Sequence, residues 1–139
     1  MVGVPTGVAV GAGVAWTVLR RRPFRVAIEG ASMVPTLLPG DWALAARIRR
    51  YRRGDVVVVE HPDRPGYDMV KRLTAVPGDR VDEGRVLADD EYWVEGDHPP
   101  SSTDSRRFGP VRRGSLKARV LVIYWPAGRR CRLGRSRPR

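Results

Sequence analysis

A chain of 139 residues has room for one domain of ordinary size with a core of its own. Its 26 Lys and Arg against 15 Asp and Glu leave a formal charge of +11, which suits anionic partners such as phospholipid headgroups or nucleic acid. The single cysteine, Cys131, excludes an internal disulfide framework and any Cys-based metal site.

Residues 2–19 carry no charge. As a helix they would extend about 27 Å, close to the hydrocarbon thickness of a bilayer. Four glycines and one proline make the run only mildly apolar, a marginal span. Gly3, Gly7 and Gly11 repeat at small-xxx-small spacing and could seat a partner helix. Trp16 and Arg20-Arg21-Arg22 read as an interfacial flank. Residues 1–22 are therefore expected to be a membrane anchor with a basic flank. The alternative, a cleavable signal sequence, lacks a basic stretch ahead of the apolar part. Every basic residue follows the apolar run, so the positive-inside rule favours a cytoplasmic body, and an extracytoplasmic role has to override that bias.

Residues 23–126 read as short strands separated by Gly and Pro. Residues 24–28 alternate with period two, and residues 42–48 suit a second strand. Arg53-Gly54-Asp55 turns the chain into Val56-Val57-Val58-Val59, a β-branched run fit for a strand covered on both faces. Residues 61–66 are a loop and residues 67–76 the next strand. Its period puts Met69, Lys71 and Leu73 on one face, and Val70 and Arg72 on the other. A hairpin is expected around Asp82-Glu83-Gly84, then Tyr92-Trp93-Val94, a long Pro/Ser loop over residues 96–110, and a closing strand over residues 116–125. Residues 127–139 are a basic Arg/Gly/Pro tail expected to be disordered. The fold class is mainly β, an all-β domain on one N-terminal transmembrane helix.

The chemistry centres on Glu29-Gly30-Ala31-Ser32-Met33-Val34-Pro35-Thr36-Leu37-Leu38-Pro39-Gly40-Asp41. One serine stands between small residues on a proline-ruled turn, with room for a substrate backbone to approach. A serine hydroxyl needs a base. The two histidines, His61 and His98, each precede a proline in a turn-like setting, and they read as loop residues. Lys71 and Lys117 are the only lysines among the 26 basic residues. Lys71 shares a face with Met69 and Leu73. A desolvated lysine can lose its proton at working pH, whereas an arginine cannot. Ser32 and Lys71 are therefore the candidate dyad. The plain alternatives are a surface hydroxyl in a turn and a snorkelling lysine.

Four stretches in order carry a resemblance: Ser32-Met33-Val34-Pro35-Thr36-Leu37; Arg53-Gly54-Asp55-Val56-Val57; Val70-Lys71-Arg72 with Pro77-Gly78-Asp79; and Gly96-Asp97-His98 through Ser102-Thr103-Asp104-Ser105-Arg106. Over residues 29–125 the chain resembles the type I signal peptidases, the S26 Ser/Lys peptidases. It is most similar to their small members, the mitochondrial inner-membrane processing peptidases and small bacterial relatives. The resemblance implies a signal-peptidase-like β domain, also the fold of self-cleaving repressors, and a serine endopeptidase of the signal peptidase I type. Ser32 would be the nucleophile and Lys71 the general base. Ser102 would orient the lysine amine, with Ser101 and Ser105 as rivals. Asp104 and Arg106 would form a supporting ion pair, or else an exposed pair of little energetic value. Some relatives have a second serine where this chain has Gly30, so the oxyanion hole would rest on backbone N–H groups, chiefly that of Ser32. Ile28, Met33 and Val34 are candidate walls of shallow apolar pockets.

No metal or cofactor is called for. The implied partners are pre-proteins with small residues before the cut and membrane lipid, with no nucleic acid. The implied location is the cell membrane, single-pass, with the catalytic domain outside the cytoplasm. A sister reading keeps the chemistry and faces the cytoplasm, maturing one dedicated propeptide as the small proteases of nickel superoxide dismutase maturation do. From another class, a non-catalytic β module could bind anionic lipid or nucleic acid, although the basic residues are scattered rather than interleaved with stacking aromatics.

Overall fold

The structure, a computed structural model, describes residues 22–135. The expected anchor, with Gly3, Gly7, Gly11 and Trp16, lies outside the described residues. Among the described residues no helix is long and apolar enough to cross a membrane.

The fold is mainly β: one curled antiparallel sheet of eight strands. They are β1 (Phe24–Ala27), β2 (Trp42–Ala46), β3 (Val56–Glu60), β4 (Asp68–Ala75), β5 (Glu91–Glu95), β6 (Val111–Arg112), β7 (Leu116–Trp125) and β8 (Cys131–Arg132). The spatial order is β1-β2-β7-β3-β4-β5-β6, with β8 also on β7. Register shifts within the β2–β7, β3–β7 and β4–β5 pairs are bulges that increase local twist and help the sheet to curl. The strand of four valines divides the interior. Val56 and Val58 join one apolar cluster with Met33, Leu37 and Val120. Val57 and Val59 join a second with Leu73, Val94 and Leu116. Period two along β3 thus builds a core on each face.

Asp55 ends the turn ahead of β3, and its carboxylate accepts from Arg52 N at 2.8 Å. The Asp82–Gly84 segment is a tight 3₁₀ turn in which Glu83 holds φ 58°. Residues 96–110 carry a 3₁₀ turn, Pro99–Ser101, and a short α-helix, α1 (Ser105–Phe108), capped by Asp104.

Residues 127–135 depart from the expected disordered tail. Ala127–Arg129 form a 3₁₀ turn, β8 pairs with β7 at Val122 and Ile123, and Leu133 packs on the first cluster. Arginine content reads as solvation when composition alone is weighed. Here Arg129 and Arg135 have carboxylate partners, Asp41 and Asp55, which are 2% and 1% exposed.

Candidate active site

Ser32 lies in the irregular segment between β1 and β2. Met33 and Leu37, 2% and 0% exposed, peg the turn into the first cluster. Leu37 N donates to Met33 O at 3.0 Å and Val34 N to Ala31 O at 3.2 Å, winding the turn on itself. Its ends meet where Ile28 N donates to Asp41 O and Gly40 N to Ile28 O, both at 2.9 Å. Gly30 holds φ 74°, and a Cβ there would meet nothing within 4 Å. A serine at this position would have space but a strained backbone.

The turn forms one wall of a cleft of about 540 Å³. β1 contributes Phe24 through Ala27, the β3–β4 loop contributes His61, Arg64 and Tyr67, and β4 contributes Met69, Val70 and Lys71. Ser32 and Lys71 both face this cleft, as do Ile28 and Met33. Val34 is half-buried and is not in its lining. His61 sits between aromatic rings, 4.9 Å from Phe108 and 6.2 Å from Tyr67.

Lys71 is 5% exposed. Among the described residues its Nζ donates to Ser102 Oγ at 3.2 Å. Ser102 Oγ donates to Asp104 Oδ2 at 2.7 Å, and Gly96 N donates to the same oxygen at 2.8 Å. Arg106 grips Asp104 through Nε at 2.9 Å, through Nη2, and through its backbone N–H at 3.1 Å. Ser105 does not compete with Ser102: its hydroxyl accepts from Val94 N at 2.9 Å and is buried. Ser101 reaches the cleft, and its Oγ is 3.0 Å from His98 Nδ1.

Burial holds the Lys71 amine below its usual pKa of 10.5. Asp104 opposes the shift and Arg106 adds to it. The cation that acts on Lys71 is thus Arg106, not its chain neighbour Arg72. Burial works to raise the Asp104 carboxyl, but Arg106, the Ser102 hydroxyl and the backbone N–H groups of Gly96 and Arg106 outweigh it and hold it at about 2. The arrangement is a desolvated amine aimed at a hydroxyl that is itself fixed by an ionised, buried carboxylate. Such an amine gives up its proton more readily than a lysine in water, as a general base requires.

Sequence reasoning missed a second layer. Arg72 and Asp97 form a bidentate pair at 2.9 and 2.8 Å, with side chains 1% and 2% exposed. Thr36 Oγ1 donates to Asp97 Oδ2 at 2.6 Å, and Arg72 Nη1 donates to Gly54 O at 2.8 Å. His98 N donates to Ser32 O at 2.9 Å. The Ser32 turn is therefore tied to the residues just after β5 and to the strand that carries Lys71. Gly96 has no room for a side chain, since a Cβ would lie 2.6 Å from both Ser102 Cβ and Ser32 O. Both Arg72 and Asp97 sit inside the four stretches quoted above, which was the available signal.

The sequence profile of the signal peptidase, peptidase S26, family matches residues 4–85 and 81–125. The chain belongs to the peptidase S26 family. This S26 peptidase is 41% identical over 113 residues to the mitochondrial ATP-independent inner membrane protease subunit 1b of Arabidopsis thaliana, covering 70% of the chain and 67% of that protein. It is 36% identical over 148 residues to the mitochondrial inner membrane protease subunit 2 of Danio rerio, covering 96% and 81%. The corresponding human subunit 2 is 36% identical over 138 residues, covering 88% and 79%. These relatives support a peptidase associated with a membrane.

Proposed function

We propose that this S26 peptidase is a membrane-tethered serine endopeptidase of the signal peptidase I type, which removes N-terminal targeting segments from exported pre-proteins after small residues. The observation that carries the reading is that Ser32 and a buried Lys71, its charged form disfavoured, face one cleft. A lysine in water holds its charge firmly; here burial disfavours that charge and eases loss of the proton.

In this reading the substrate enters as an extended segment along β1, the outer strand of the sheet. Ile28 and Met33 wall the pocket for the residue before the cut. Ser102, fixed by Asp104, keeps the Lys71 amine pointed at the cleft. When substrate closes the site, Lys71 takes the Ser32 proton, a contact that free enzymes often leave loose. Oγ attacks the scissile carbonyl, and the developing oxyanion turns to the Ser32 backbone N–H. Protonated Lys71 returns the proton to the leaving amine, giving an acyl-enzyme. The freed amine then deprotonates a water, which attacks the ester; the lysine returns that proton to Ser32 Oγ as the ester bond breaks and the acid product leaves.

The test is cleavage of a panel of pre-proteins by membranes carrying wild-type, Ser32→Ala or Lys71→Ala protein. Cuts after a small residue that vanish in both variants support the reading, and cleavage that survives in either one sinks the dyad. The charge asymmetry favours the second reading, a cytoplasm-facing protease for one dedicated propeptide. Protease accessibility of the domain in sealed vesicles separates the two.

A further inference from the structure

Ties from two sides position the Ser32 turn. On the side that carries Lys71, His98 N donates to Ser32 O, Thr36 Oγ1 donates to Asp97, and Arg72 Nη2 reaches Thr36 Oγ1 at 3.4 Å. The other side is the far end of the chain. Arg129 donates through Nε to Asp41 Oδ1 and through Nη2 to Asp41 Oδ2, both at 2.8 Å, and Nη2 also reaches Thr36 O at 3.5 Å. Asp41 is 2% exposed, and its Oδ2 accepts from Leu38 N at 2.9 Å while its backbone oxygen accepts from Ile28 N. One guanidinium thus fixes the point where the two ends of the Ser32 segment meet.

The segment behind Arg129 is itself anchored. β8 pairs with β7, Leu133 N donates to Leu121 O at 2.8 Å, and Arg135 Nε donates to Asp55 Oδ1 at 2.8 Å. Gly134 O accepts from Arg72 Nη1 at 3.4 Å, which joins this segment to the Arg72–Asp97 pair.

We propose that residues 127–135 are a strap that sets the position of Ser32 relative to Lys71, with Arg129 as its positioning residue. The proposal rests on Ser32 as nucleophile and adds a determinant of its reactivity that touches no substrate. Ser32 is in no strand, so no sheet ladder fixes it. Its distance from an amine on β4 depends on one backbone bond, from His98, and on side-chain ties from Asp97 and Arg129. A planar fork matched to both carboxylate oxygens holds direction as well as distance, which a lysine cannot do. Misplacement of a nucleophile by about 1 Å can cost on the order of 10²-fold in rate.

The experiment is single-turnover acylation of the full chain in detergent or vesicles with a cleavable pre-protein. The rate constant is read separately from the amplitude, because amplitude reports the folded fraction and the rate constant does not. Arg129→Ala is expected to lower the acylation rate constant by about 10- to 100-fold, with KM within about threefold and an unchanged pH midpoint, since Lys71 is untouched. Arg129→Lys is expected to recover part of the loss, and it keeps the test decisive should Arg129→Ala fail to fold. Arg112→Ala, which removes an exposed pair with Asp90, serves as the wild-type-like control. An acylation rate constant equal to wild type in both Arg129 variants, with only amplitude reduced, would overturn the proposal and leave the segment a stabiliser. Ser32→Ala in the same assay separates this from failure of the underlying reading, because cleavage in that variant removes the nucleophile itself.

Discussion

Lys71 Nζ lies 3.2 Å from Ser102 Oγ, and that hydroxyl points its own proton at Asp104. The amine therefore sees a lone pair, not a charge, as its nearest partner. An ion pair would have stabilised the ammonium and removed the base. The intervening hydroxyl keeps Asp104 one bond away.

The pH dependence follows from the lowered Lys71 pKa. Activity needs the free amine, so kcat/KM rises with pH through an apparent pKa below 10.5. Arg106→Gln removes a cation that lowers this pKa and leaves Asp104 less compensated. Both effects favour the ammonium, so the rising limb moves to higher pH. A pH–rate profile of the two proteins checks this, and a shift to lower pH contradicts it.

The same burial carries a stability cost. The unfolded chain binds more protons than the folded one between the lowered Lys71 pKa and 10.5, so this residue's contribution to stability rises with pH across that window. Lys71→Met is expected to abolish cleavage, by at least about 10³-fold, and to raise the unfolding midpoint at neutral pH. The gain should shrink as pH approaches 10.5. Thermal unfolding as a function of pH reads it out.

Asp104 works in the opposite sense. Its folded pKa of about 2 lies below the ordinary 3.8, so its ionisation contributes about 2 kcal/mol above pH 3.8, lost as pH falls through 2. Asp104→Asn is expected to lose about that much stability at pH 7, with the deficit closing in acid. Urea unfolding at a series of pH values measures it.

Gly96→Ala places a methyl group 2.6 Å from Ser102 Cβ and from Ser32 O. One of them has to move. Cleavage should fall by about 10²-fold or more while the strands persist by circular dichroism.

Breaking the buried Arg72–Asp97 pair by Arg72→Ala should cost about 3–5 kcal/mol, because the Asp97 carboxylate is left without its partner. Replacing both residues by apolar ones of similar size should cost less than either single loss. Chemical denaturation of the two singles and the double decides this.

Much of the site was legible because its chemistry is concentrated in short stretches. Lysine scarcity and strand period singled out Lys71, and the 116–125 strand was read with its observed bounds, Leu116–Trp125. The supporting layer was harder to see. Strand alternation turned Arg72 away from Lys71, but nothing local says that Asp97, 25 residues on, will meet it in the interior. Arg129 reaches Asp41 across 88 residues, and no sequence pattern announces such a pair. Composition made residues 127–139 look like a disordered tail, because an arginine with a buried carboxylate partner, as Arg129 and Arg135 have, reads the same as one in water. The expected membrane anchor lies outside the described residues, and the pattern of residues 2–19 is what suggests it.

The central claim, that Ser32 is acylated with Lys71 as base, is tested most directly by trapping the intermediate. Wild-type enzyme is mixed with a cleavable pre-protein, quenched in acid at early times and analysed by peptide mass spectrometry. The expected result is an ester of the N-terminal fragment on Ser32, absent from Ser32→Ala and formed at least about 10³-fold more slowly in Lys71→Ala. An adduct on another residue, or cleavage by Ser32→Ala at the wild-type rate, would contradict it.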